Sequence, residues 1–131
     1  MSYEVTWHSK DAVVLVRLWG DLDIQEFPEF DRLILQHLEE SQRPLVHLWV
    51  DLLEVTQFPA NVRQVGKALT HKNHQRLGWT VLITQNRIIQ FVGYMITQIA
   101  RARFRAFNSS QEAAEFLQSM DQALVLEQPK V

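Results

Sequence analysis

Cysteine is absent from the 131 residues, which removes disulfides, zinc–thiolate sites and cysteine nucleophiles from consideration. Glycine is scarce. Gly20, Gly66, Gly78 and Gly93 are the whole complement, and none stands in a G-x-S-x-G nucleophile elbow, a P-loop or a G-x-G-x-x-G dinucleotide fingerprint. No apolar run approaches the ~20 residues needed to cross a bilayer, and the opening MSYEVTWHSKD holds no apolar signal core. A cytoplasmic protein is therefore expected. Acid is missing too: no Asp or Glu occurs between Glu54 and Glu112, where eight Lys or Arg are found. The net charge of −2 thus conceals −7 over residues 1–57 and +5 over residues 58–131. A basic half either offers a face to an anionic partner or complements the acidic half within the fold.

What is present suits one domain. An apolar fraction of 47% fills a single core, and the expected boundaries are residues 1–125, with 126–131 a flexible tail. Residues 3–8 alternate weakly as a strand. Residues 12–19, AVVLVRLW, are a strong strand broken only by Arg17. The short Ser9-Lys10-Asp11 turn predicts an antiparallel hairpin between the two. Gly20-Asp21-Leu22-Asp23 ends the second strand, and Asp23 can cap a helix running to Glu40, with Pro28 tolerated near its start. Phe27, Phe30, Ile34, His37 and Leu38 form its apolar stripe, with Leu33 beside it. Residues 45–52 are a central strand followed by an acidic turn. A helix over 60–71 presents Val62, Val65, Gly66 and Leu69. Residues 79–84 are a buried strand, 87–101 a helix, and 103–107 a strand. A final helix is capped at Ser109 or Ser110 and packs Ala113, Phe116, Leu117 and Met120. Strands alternating with helices predict an α/β domain: a single-layer, mixed, mostly parallel sheet of about five strands flanked by four helices.

Three segments carry a resemblance. LWGDLDIQEFPEFDR from Leu18, VHLWVDLLEVT from Val46 and RFRAFNSSQEAAEFL from Arg103 together resemble the STAS domain superfamily, and within it the SpoIIAA-like, STAS/SEC14-type bacterial proteins. The resemblance spans nearly the whole chain and rests on soft patterns rather than a catalytic signature. It implies a regulatory module that binds a protein partner. Anti-sigma antagonists of this superfamily carry a phosphorylatable serine in the loop after the central strand. Here that loop reads Phe58-Pro59-Ala60-Asn61-Val62, without a hydroxyl; Thr56 is the nearest one. The serine switch is therefore not expected.

The candidate chemistry is thin. His71 and His74, three apart, would share a helix face and could hold a metal, yet no acid or thiol lies near to complete a site; a solvated helix end is the expectation. His37 and His47 sit in apolar patterns and should hydrogen-bond in or near the core. Asp51 and Glu54 end the central strand, where open α/β sheets place ligands; loop solvation and capping explain them equally. Arg101, Arg103 and Arg105 would line one side of the last strand and guard its edge, and the nearby Phe104 and Phe107 read as packing rather than stacking platforms, so no nucleic acid is expected. Residues 88–99, IIQFVGYMITQI, are unusually apolar. They are expected to pack the core and contact a second copy of the chain, and the flanking Arg87 and Arg101 would also suit an anionic membrane surface.

Two functions follow as expectations. The first is a non-enzymatic interaction module working through residues 54–63, with Asp51, Glu54, Thr56, Phe58, Asn61 and Arg63 at its surface. The second is a small carrier or sensor for an apolar or lipid-like ligand, in a cavity lined by Trp49, Phe58, Phe91 and Met95. No motif calls for a cofactor or metal.

Overall fold

In the computed structural model, which describes residues 2–59, 61–122 and 124, five strands form one sheet in the order β1-β2-β3-β4-β5. β1 (Ser2–Ser9) pairs antiparallel with β2 (Val13–Asp21), as the short turn requires. β3 (Val46–Gln57), β4 (Leu77–Ile83) and β5 (Arg103–Phe107) then add in parallel. The fold is the expected α/β, mostly parallel sheet with four helices.

Each parallel step moves the same way across the sheet. Right-handed crossovers must then deliver every connecting helix to the same face. α1 (Phe27–Glu40), α2 (Val62–Ala68) and α3 (Arg87–Ala100) do lie together, over a core built on Val14, Val16, Leu48, Leu52 and Leu82. α4 (Ser110–Met120) follows the last strand and covers the other face, over Val13, Trp49, Val81 and Ile83. Strand alternation divides the side chains between the two cores.

Several local expectations hold. Asp23 accepts from the Gln25 amide and caps the short 3-10 turn Ile24–Glu26 that leads into α1. Ser109 caps α4 through the Glu112 amide. Others are corrected. β2 and β3 run on together past Trp19 and Leu52, pairing Gly20 with Val55 and Asp21 with Gln57, so the supposed acidic turn is strand. The helix over 60–71 divides into α2 and a separate 3-10 turn, Thr70–Asn73; Ala60, its expected first residue, lies outside the described residues, as does the tail over 126–131. Met120 is 52% exposed, and Ala114 takes its place in the α4 stripe.

α3 sets up the rest. Asn86 caps it by accepting from the Ile88 and Ile89 amides. Gly93 allows it to lie close on the sheet: a Cβ there would stand 3.1 Å from both Leu82 and Phe104.

Candidate functional site

The outer side of α3 is the most unusual surface. Ile89, Val92 and Ile96 face the sheet and are buried. Ile88, Phe91, Met95 and Ile99 recur at helical spacing on a different stripe. Ile88 is 67%, Phe91 60% and Ile99 74% exposed, and Tyr94 is half exposed beside them. The helix is thus apolar nearly all round, yet the sheet buries only one stripe of it.

Both flanks are grooves. On one side Val62, Arg63, Gly66, Lys67 and Lys72 meet Ile96 and Ile99 around about 450 Å³ of open space. On the other, α3 faces the outer edge of β5, unpaired among the described residues, across about 960 Å³, with Arg87, Phe91, Tyr94, Phe104, Arg105 and Ala106 among the walls. Every formal charge lining either groove is positive, a direct result of the acid-free stretch between Glu54 and Glu112.

The expected site residues scatter. Asp51 turns back to accept from the Leu53 amide, and Glu54 pairs with Arg17 at 2.8 Å in an exposed contact of small energetic weight. The Thr56 hydroxyl donates to Asp21. Asn61 caps α2 through the Gln64 amide. Of that group, Arg63 alone lines a groove beside α3. The expected cavity residues are not brought together either. Trp49 is 2% exposed on the α4 face, with the His8 ring tilted against it. Phe58 lies on the opposite face against Phe27, and Phe91 and Met95 point to solvent. Arg101 has left the last strand; it ends α3 in the left-handed region at φ 55°.

A cavity does exist elsewhere. Phe27, Ile34, Phe58, Val65, Leu82 and Ile96 are among the apolar groups around about 90 Å³ between the three helices and the sheet. That is roughly three water volumes, well under the ~300 Å³ at which small-molecule sites begin.

His71 lines this cavity, and it corrects the expectation of a solvated helix end. It is 8% exposed, and its Nδ1 lies 2.7 Å from Asp31 Oδ1. Asp31 accepts also from the His71 amide and the Thr70 hydroxyl. Burial alone would raise the Asp31 carboxyl; hydrogen bonds from His71 and Thr70, with the His71 charge, outweigh it and hold the group below its ordinary value of 3.8. This is not a nucleophile relay. The Thr70 hydroxyl bonds the carboxylate, whereas a relay would need a hydroxyl on the free imidazole nitrogen. The group fastens α1 to the Thr70–Asn73 turn. The one local signal was Asp31 at the i+4 position of the stripe begun by Phe27, where an acid needs a partner, but nothing local pointed to His71 as that partner.

His47, buried on the α4 side, accepts from the Trp79 amide on Nδ1, so its Nε2 donates to Asp121. Burial lowers its pKa, Asp121 opposes, and Arg43 and Arg103 add to the lowering; the net shift is downward from 6.5. The unfolded chain therefore takes up a proton near pH 6.5 that the folded chain refuses. The His47 contribution is complete above pH 6.5 and is lost as pH falls below it. Urea unfolding across pH 7.5 to 5 should show this decline, and His47→Gln should flatten it. Among the described residues, no group of three His, Asp or Glu could hold a metal, and no helix is long and apolar enough to cross a membrane.

No family model matches the chain, and no curated protein does. Solved structures do. An uncharacterized DUF3478-family protein with a SpoIIAA-like fold, from Shewanella loihica PV-4, superposes at TM-score 0.64 with 14% identity, over 88% of this chain and 92% of that one. The anti-sigma factor antagonist SpoIIAA in its unphosphorylated form superposes at 0.56 with 12% identity, over 90% and 97%. The chain has a SpoIIAA-like fold.

Proposed function

We propose that the chain is a regulatory interaction module that binds a protein partner and performs no chemistry of its own. The observation that carries this is the α3 ridge: Ile88, Phe91, Met95 and Ile99 in solvent, with every charged residue lining the grooves on both flanks basic. Exposed apolar surface forgoes about 25 cal/mol per Å² that burial would return, and a contiguous patch of this kind marks a covered surface. The shared fold with an anti-sigma factor antagonist agrees with such a role. No hydroxyl residue stands among positions 58–62, and Thr56 sits on β3 engaged with Asp21, so the module works without the usual phosphorylatable serine.

A symmetric dimer through α3 fits less well than a different partner. Antiparallel pairing of two copies would set Arg87 of one near Arg101 of the other, with no acid on either helix to offset them. Arg63 belongs to the proposed surface through its groove with Ile99. The second reading, a carrier for an apolar ligand, has the apolar cavity between the helices and the sheet in its favour and its volume of about 90 Å³ against it.

Phe91→Glu combined with Ile99→Glu should leave unfolding stability within about 0.5 kcal/mol of the wild type, because both side chains already face water. Proteins recovered with the tagged chain from extracts of its source organism should fall by about tenfold or more. Arg63→Glu should reduce them less, and Met120→Glu, on the other face, should not. An unchanged recovered set with the double variant would refute the proposal.

A further inference from the structure

β5 is the last strand of the sheet, and its outer edge carries backbone groups with a determinable direction. The Thr84 amide donates to the Phe107 carbonyl, in register with the Ile83–Phe107 pair. In a parallel ladder a residue's N–H and C=O turn to the same neighbour, and the next residue's turn away. Arg103, Arg105 and Phe107 therefore bond to β4, while the amides and carbonyls of Phe104 and Ala106 face outward. No described residue donates to or accepts from them on that side.

These four groups open into the roughly 960 Å³ groove, whose far wall is Phe91 and Tyr94 of α3. Edge strands are ordinarily blunted by charge. Here Arg105 is drawn off the edge, its guanidinium 5.1 Å from the Phe116 ring centre and 5.8 Å from that of Phe107. Arg87 stands at the groove's margin, and no acidic side chain lines it.

We infer that this groove takes an extended acidic segment of a partner protein, added as a sixth strand antiparallel or parallel to β5. The segment's backbone would pair with Phe104 and Ala106. Alternate side chains would lie on Phe91 and Tyr94, and its carboxylates would meet Arg87 and Arg105. The inference rests on the interaction-module reading and names the partner's form at that surface. A second copy of the chain fits poorly as the occupant, because two β5 edges would bring Arg103 and Arg105 of both copies together.

The probe is a fluorescein-labelled eight-residue peptide of alternating valine and glutamate. Fluorescence anisotropy should show saturable binding that weakens as salt rises from ~0.02 to ~0.5 M. Methylating the peptide's alternate amide nitrogens, which removes the bonds to the edge and keeps the charge, should weaken it by about tenfold or more. Ala106→Pro deletes one outward N–H at an edge position that tolerates proline; it should leave circular dichroism and unfolding unchanged and weaken the peptide by about tenfold. Amide shifts in NMR should centre on Phe104 and Ala106. Equal binding of the methylated peptide, or of a valine–lysine peptide, would overturn strand addition. So would binding of phosphatidylglycerol vesicles with no peptide binding, or oligomers of the protein alone that Ala106→Pro dissolves. If the peptide fails while recovery of partners still depends on Phe91 and Ile99, the groove inference falls and the interaction reading stands; if both fail, the reading beneath it falls as well.

Discussion

Asp31→Ala is expected to lower the unfolding free energy by about 3–5 kcal/mol, the cost of leaving several buried hydrogen-bond donors without the carboxylate that satisfies them. Three donors converge on this carboxylate: the His71 ring, the His71 amide and the Thr70 hydroxyl. Alanine leaves all three facing an apolar cavity. The midpoint of thermal unfolding should fall by about 10–20 °C for a domain of this size. Asp31→Asn keeps the shape but offers one acceptor oxygen instead of two, and should cost about 2 kcal/mol. The wild-type contribution has a defined pH window. The folded carboxyl is held below 3.8, so its stabilisation is present above that pH and disappears as pH falls below it. Urea titrations of the two variants at pH 7 test the energies. A change below 1 kcal/mol for Asp31→Ala would show that the pair does not hold α1 to the turn.

Gly78→Ala should cost about 3 kcal/mol through a different mechanism. A Cβ at Gly78 would stand 2.6 Å from His47 Nδ1 and 2.9 Å from its Cε1, inside any real contact. The ring is buried and held on both nitrogens, by the Trp79 amide and by Asp121, so it cannot swing aside without losing both bonds. Overpacking and unsatisfied polar groups each contribute about 1–3 kcal/mol. Gly78→Ala in a His47→Ala background should recover much of the loss, since the obstructing ring is gone. Equal destabilisation in both backgrounds would place the cause elsewhere.

The sheet and its helices were legible in the sequence because their signals are local. Val-rich strands, the Asp23 and Ser109 caps and the Phe27–Leu38 stripe each need only their own neighbours. The continuation of β3 to Gln57 was not legible, because the acids Asp51 and Glu54 disfavour a strand locally, and the segment is held as strand by pairing with Trp19, Gly20 and Asp21 about 35 residues away. His71 was misjudged for the same reason: its partner Asp31 is 40 residues away. The apolar character of residues 88–99 was plain, but not which side chains would remain in water. That depends on Gly93 bringing one stripe onto Leu82 and Phe104, while among the described residues no further element covers the other.

The central claim is that the α3 ridge is covered by a partner in the cell. A photoreactive benzoylphenylalanine placed at Phe91 and activated in living cells of the source organism tests it most directly. Position 91 should give a discrete covalent adduct with another protein, and the same residue placed at Leu53, 44% exposed on β3, should give none. No adduct at 91, or the same adduct at both positions, would contradict the account.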